Sequence, residues 1–495
     1  MNLIPSFVAL VVSTSVLLSA VEPVAITPAA FEPAAPAQVV ATYADIAFRS
    51  YSDAVMSTKA LQTAIHAFVA QPTTAGLVAC RVAWVAARED YSPTEVYRFA
   101  SGPIDAEPLN VETKINGWPL DEQWLDYTTE TPNSGIINNV TEYPSITSDL
   151  LIELNEKGGE KNIATGYHAL EFLLWGQDRS KTGPGNRPVT DFIDGGTAAH
   201  QDRRRNYLVL AADVLVQQLA AVAKAWDPAV AGNYRATFVA LPPATALKQA
   251  FTGMVMLGGD ELSGERLAVA YETQDQEEEQ SCFSDNTHRD TIRNAEGIQQ
   301  VWLGRYHDIN GPGLADLVAA SDAQTAALAS NHLAAAIVAA KAIPVPFDQA
   351  IQGGNDQPGR KAVLTTIESL EVATDDLVAA AKKIGIELEF GANANNAIVG
   401  AKDLQERLPA VVAAVKAGDV AATKAAVDVL FEKWLRFETA ISRQAPLSYK
   451  AMESALNAVR NEAVRAKKPD VAKVTAATAA LSTQIDTVLP LMKQE

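Results

Sequence analysis

From Tyr43 onward the chain repeats one pattern: apolar residues at helical spacing, in long runs cut by short breaks of Pro, Gly and Asn. Tyr43–Ala70 contains no Gly or Pro and stops at Gln71-Pro72. Thr74–Tyr91 spaces Leu77, Val78, Val82, Val85 and Ala86 as one helix face. Ser92-Pro93-Thr94-Glu95 carries the signs of a further helix start, with Ser92 as cap, Pro93 at the first position and Glu95 closing a capping box. Residues 102–162 are irregular and rich in Pro, Asn and Gly, an insertion of the kind that covers a site or links helices at one end of a bundle. A short helix is expected over Ile163–Trp175, closed by Gly176, with longer ones over 191–225 and 244–273. A last helical block runs from Ile292 to the end, with breaks at 310–312, 344–347, 353–359 and 391–396.

This pattern predicts an all-α fold. Its 495 residues exceed what one core organises, so two helical-bundle domains are expected, 41–275 and 290–495. A Pro break follows a helix near the start of each half, at Pro72 and Pro344, which raises an internal duplication, although the flanking sequences share little beyond alanine-rich composition.

The first forty residues read differently. Phe7–Leu18 is an uncharged, largely apolar run followed by Ser19-Ala20, too short to span a bilayer and shaped like the core of a signal peptide over residues 1–20, although Met1–Ser6 lacks Lys and Arg. Residues 21–40 follow as a Pro/Ala-rich linker. Export is therefore expected, with peripheral membrane contact at most, because no later segment reads as long and apolar enough to cross a membrane. The net charge of -19 argues against a nucleic-acid partner, which requires a basic surface. Cys80 and Cys282 could pair in an oxidising compartment or remain two buried thiols.

The Ile163–Trp175 helix is apolar almost all round, hence buried, yet it carries His168 and Glu171 three residues apart on one face, with Trp175 a turn further on. A buried imidazole and carboxylate must pair, hydrogen-bond or hold a cation. Metal ligation and a structural pair both satisfy that need. A zinc peptidase helix of the H-E-x-x-H or H-x-x-E-H kind is not present, since Phe172 stands where the second His would be. A hydrolytic site would require a third ligand and a base from elsewhere. For the third ligand, His200 and His288 are the candidates, and His66, His307 and His332 read as structural. Glu261, Glu265 and Glu272 form a helix stripe expected in solvent, and Asp275–Glu279 an acidic linker. Asp121 and Glu122, beside Trp118, offer oxygen ligands or a turn cap.

The segment Gly166-Tyr167-His168-Ala169-Leu170-Glu171 resembles the G-x-H-x-x-E signature of the imelysin, or insulin-cleaving metallopeptidase, family. Further blocks are similar: Trp84–Arg88 with Tyr91, Glu95 and Tyr97–Phe99; Gly102–Asp105; Asn116–Glu122 with Asp126-Tyr127; Gly183–Pro188 with Asp191; Gly264–Arg266; and Ser281–His288. The likeness spans most of residues 40–290 and is greatest to the iron-regulated branch. It implies two bundle-like halves, export to the periplasm or outer membrane, a link to iron acquisition, and an uptake partner there. It also implies a divalent metal (iron or zinc) or an iron-bearing ligand such as haem at His168 and Glu171. Arg88, Glu95, Arg98, Trp118, Asp121, Glu122, Trp175, Arg187, Glu265 and His288 would support that site. Zinc peptidase activity is the alternative, and a helical scaffold with a structural His-Glu pair a second. One departure stands out: the family pattern carries Glu-His-Ser where this chain has Glu279-Gln280-Ser281, a loss that alters metal binding if that His is a ligand.

Overall fold

The computed structural model describes residues 35–388, 394–434, 437–466 and 468–492. The expected signal peptide lies outside them, as does most of the linker. Helix begins at Pro36, within the expected linker, and Val39 and Val40 are already core residues.

The long helices Pro36–Ala70 and Thr74–Tyr91 pack side by side, and Gln201–Trp226 lies along the first. Thr73 starts the second by accepting from the Gly76 backbone N–H at 3.1 Å. Gln201–Trp226 does have the length and apolar composition of a membrane span, contrary to the sequence expectation, but its apolar face is committed to this bundle. The helix Gly166–Trp175 is wedged among Thr74–Tyr91, Glu112–Asn116 and Gln201–Trp226, so all its residues are buried. Each fully buried Leu or Phe on it contributes roughly 1.5–3 kcal/mol.

Two local expectations fail for tertiary reasons. Ser92–Tyr97 is a 3-10 turn, and Ser92 caps nothing because its hydroxyl donates to Asp290 Oδ1 at 2.8 Å. Beyond Pro243–Met256 the helix widens into a π-helix over Leu257–Ala268 before Val269–Thr273. In this wider helix Glu261 meets Arg266, five residues on, at 2.7 Å, and Glu265 is buried rather than solvated.

Downstream come Thr287–Leu303, a two-residue-strand hairpin (Arg305–Tyr306 with Ile309–Asn310), then Leu314–Ser321, Ala323–Lys341 and Pro358–Lys383. Ala394–Ala417, Val420–Trp434, Pro446–Arg460 and Val471–Val488 make a final bundle with its own core. The largest apolar cluster draws on both sides of 275–290, where a domain boundary was expected, and the described residues from 35 onward form one compact unit. The acidic stretch is open to solvent at Asp275 and Glu277, as expected, but it ends in the fully buried Glu279 and leads into the buried Ser281–Phe283. Cys80 and Cys282 are both buried and unpaired.

Candidate functional site

Gly166 opens the motif helix at φ 89°, and a Cβ there would lie 2.5 Å from the Ile115 carbonyl oxygen. Only glycine fits both the left-handed backbone and that approach. Gly166→Ala is expected to cost about 1–3 kcal/mol or more, read as a lower urea midpoint; an unchanged midpoint would refute the packing argument.

Two residues on, His168 Nδ1 lies 2.8 Å from Glu171 Oε2. Glu171 Oε1 accepts from both the backbone N–H and the hydroxyl of Ser284, at 2.9 and 2.7 Å. Both side chains are fully enclosed, and His168 Nε2 has no hydrogen-bond partner. Burial, with Arg88 next, pushes His168 down to about 3. Burial also pushes Glu171 up to about 8, against the pull of Ser284.

Behind this pair runs a buried charge network. Arg88 donates through Nε to Asp290 Oδ1 at 3.0 Å and through Nη1 to Asn116. Asp290 also accepts from the hydroxyls of Ser92 and Ser281. Glu95 is gripped by Arg266 and accepts from Asn116 and Asn294 at 3.3 and 3.2 Å. Arg98 reaches Glu261 at 3.1 Å and Glu112 at 3.4 Å. Arg88, Glu95 and Arg98 thus stand in one buried network. Asn116, Arg266, Asp290 and Asn294 complete it, and Ser284 completes the His168-Glu171 pair. Their distance along the chain hid the pairing, although Asn116, Arg266 and Ser284 fall in the family-like blocks.

Other expected supports lie elsewhere. Arg187 belongs to a second buried cluster, donating to Asp126 and Asp191 at 2.8 and 3.2 Å while Arg204 clamps Asp126; it meets the motif helix through the Phe172 ring and through its own backbone N–H, which donates to the Trp175 carbonyl at 2.7 Å. Trp175 packs on Trp84 and under Arg81. Asp121 is exposed and caps Glu122–Leu125, and Glu122 accepts from Gln177. His288 faces the Asp285 carbonyl at 3.2 Å, and half-buried His200 precedes Gln201–Trp226 without a side-chain bond to its first turn. His66 pairs with Asp213, and His332 with Asp376.

Trp118 and Glu265 line a cleft of about 1020 Å³ between the network and the final bundle. Its wall includes Arg98, Glu112, Arg266, Glu438 and Lys450, but not His168.

Comparison with known proteins agrees with this architecture. A protein from Parabacteroides distasonis described as an iron-regulated protein A precursor superposes with a TM-score of 0.56 at 17% identity, over 70% of this chain and 95% of its own. An imelysin-like protein from Psychrobacter arcticum superposes with a TM-score of 0.52 at 15% identity, over 72% and 99%. Iron-regulated protein A of Synechococcus elongatus is 23% identical over 336 residues, 66% of this chain and 80% of that protein. The family model described as Imelysin, peptidase M75, matches residues 47–377, which include the motif helix and the buried network and exclude the final bundle. The chain belongs to the imelysin family.

Proposed function

We propose that the protein is an exported binder of iron acquisition that holds a divalent metal ion, iron or zinc, through His168 Nε2. The observation that carries this reading is the orphaned, buried Nε2 of a histidine whose other nitrogen is engaged by a carboxylate. A buried polar atom without a partner is costly, and a carboxylate on Nδ1 is how metal-binding histidines are oriented. Glu171 then acts as the orienting group, because Ser284 and His168 already occupy its oxygens. An ion suits this nitrogen better than haem, because His168 is enclosed and does not line the cleft.

The apolar run at residues 7–18 supports export, as does the "precursor" in the name of the Parabacteroides relative, and the names of two relatives support the link to iron. A peptidase would need three ligands and a base. Among the described residues no trio of His, Cys, Asp or Glu includes His168, and Phe172 is packed on Phe283.

Metal analysis after incubation with ferrous or zinc ion tests this proposal. One equivalent is expected in the wild type, none in His168→Ala, and about 10–100-fold weaker binding in Glu171→Gln. Retention of the metal by His168→Ala, or no binding at micromolar ion, returns the pair to a structural role. Chelator-sensitive proteolysis lost in Glu171→Gln would instead favour the peptidase.

A further inference from the structure

Three carboxylates outside the His168 pair converge where the chain leaves the 3-10 turn Gln276–Glu278 and meets the short helix Phe347–Ala350. Glu279, Asp285 and Asp348 each place an oxygen within 4.8 Å of the other two. Glu279 and Asp348 are buried, with 0% and 3% exposure, and Asp285 is partly open to solvent.

Buried like charges repel, so such a trio persists only if it is protonated, hydrogen-bonded, paired with cationic side chains or bound to an ion. Hydrogen bonds satisfy it only in part: Asp348 Oδ2 accepts from Gln349, but both oxygens of Glu279 and Oδ1 of Asp285 and of Asp348 have no partner. Charge does not relieve it either. The groups acting most strongly on Glu279 include Asp348, Asp285 and Glu171, with the Thr287 hydroxyl pulling the other way. Those acting on Asp285 are Asp178, Asp348 and Glu171. Asp178 itself is occupied, accepting from the Ser180 backbone N–H and from Gln276.

The fold holds the trio in place. Trp118 Nε1 donates to the Glu279 carbonyl at 2.8 Å, and the Gly185 N–H to that of Phe283 at 2.9 Å. Asp285 sits at φ 57°, a left-handed conformation that costs a non-glycine residue free energy and is kept where the surroundings enforce it.

We propose that Glu279, Asp285 and Asp348 form a second, oxygen-only cation site for a divalent ion of calcium's size, tying the 276–290 segment to Phe347–Ala350. Ca–O bonds of about 2.3–2.6 Å set opposed ligands about 4.6–5.2 Å apart, compatible with the observed span, whereas magnesium demands a tighter octahedron. The trio offers no nitrogen or sulfur, so it is a poor match for zinc. Asp285 provides the entry from solvent and room for water ligands. The site uses neither His168 nor Glu171, so it stands or falls apart from the preceding proposal.

Calorimetric titration of chelator-treated full-length protein with calcium chloride tests it. One site is expected, with a dissociation constant of about 10⁻⁵–10⁻³ M. Glu279→Gln and Asp348→Asn should each weaken it at least about tenfold, since ligand charge sets affinity, while His168→Ala leaves it unchanged. Thermal melts guard against misfolding: without calcium, Asp348→Asn should melt higher than wild type, because one repelling charge is gone. Calcium should then raise the wild-type melting temperature and not that of the variant. No heat and no thermal shift up to about 5 mM calcium, or equal responses of wild type and both variants, overturns the proposal.

Discussion

Replacing Glu95 by alanine is expected to destabilise the protein by about 3–5 kcal/mol, the cost of leaving buried cations without their counter-charge. Burial alone would raise the Glu95 carboxyl, but Arg266, then Arg88 and Arg98, outweigh it and hold the group at about 2. The carboxylate is therefore charged throughout the neutral range. Its depressed value stabilises the fold above the unfolded value, near 4.3, and that contribution is lost as pH falls towards 2. Removing it leaves Arg266 with Glu261 as its remaining counter-charge and takes an acceptor from Asn116 and Asn294. Urea unfolding measures the effect. Glu130→Ala is the control, because its Arg179 partner is a surface pair and solvent replaces it at little cost. If the two variants unfold at the same midpoint, the interior network is not the stabilising unit described above.

The metal-free protein should be more stable at pH 5 than at pH 7.5, by on the order of a few kcal/mol. Glu112, Asp260 and Glu265, all facing the cleft, are each pushed up to about 7 by burial above all. Arg98 offsets this for Glu112, and Lys450 for Glu265. In the unfolded chain these carboxyls release their protons near pH 4. Between there and pH 7 the native state binds more protons than the unfolded one, so stability falls as pH rises through that window. His168 acts oppositely: its folded value of about 3 means stability is lost as pH falls from about 6.5. One imidazole opposes these three carboxyls and Glu171, itself pushed up to about 8 by burial, which puts the optimum in the mildly acidic range. Thermal melts across pH 4–8 at fixed ionic strength should display this slope, and Glu265→Gln should flatten it. A melting temperature highest at pH 7.5 would mean that the cleft acids ionise freely.

The motif helix was legible in advance because a run apolar on every side has to be buried, and because spacing by three sets His168 and Glu171 on one face. The 74–91 helix came out with the predicted ends, fixed by a cap before it and the Ser92-Pro93 turn after it. Expectations failed where a side chain had a distant claim on it. Ser92 resembles a cap by its neighbours, yet Asp290 takes its hydroxyl. The Glu261 and Glu265 stripe assumed 3.6 residues per turn, and the π-helix changes which positions coincide. Arg187 lies in a family-like block but serves Asp126 and Asp191, because sharing a block does not mean sharing a site.

By itself, the sequence determined the helical class, the family and the buried His168-Glu171 pair, since periodicity and local motifs act over a few residues along one chain. Only the tertiary structure decided that Ser284 completes Glu171, that Asp290 anchors Arg88, and that Glu279 meets Asp348. Those encounters join positions far apart in the chain. Spacing carries no information about them, and burial then makes each charge depend on the partner that packing supplies.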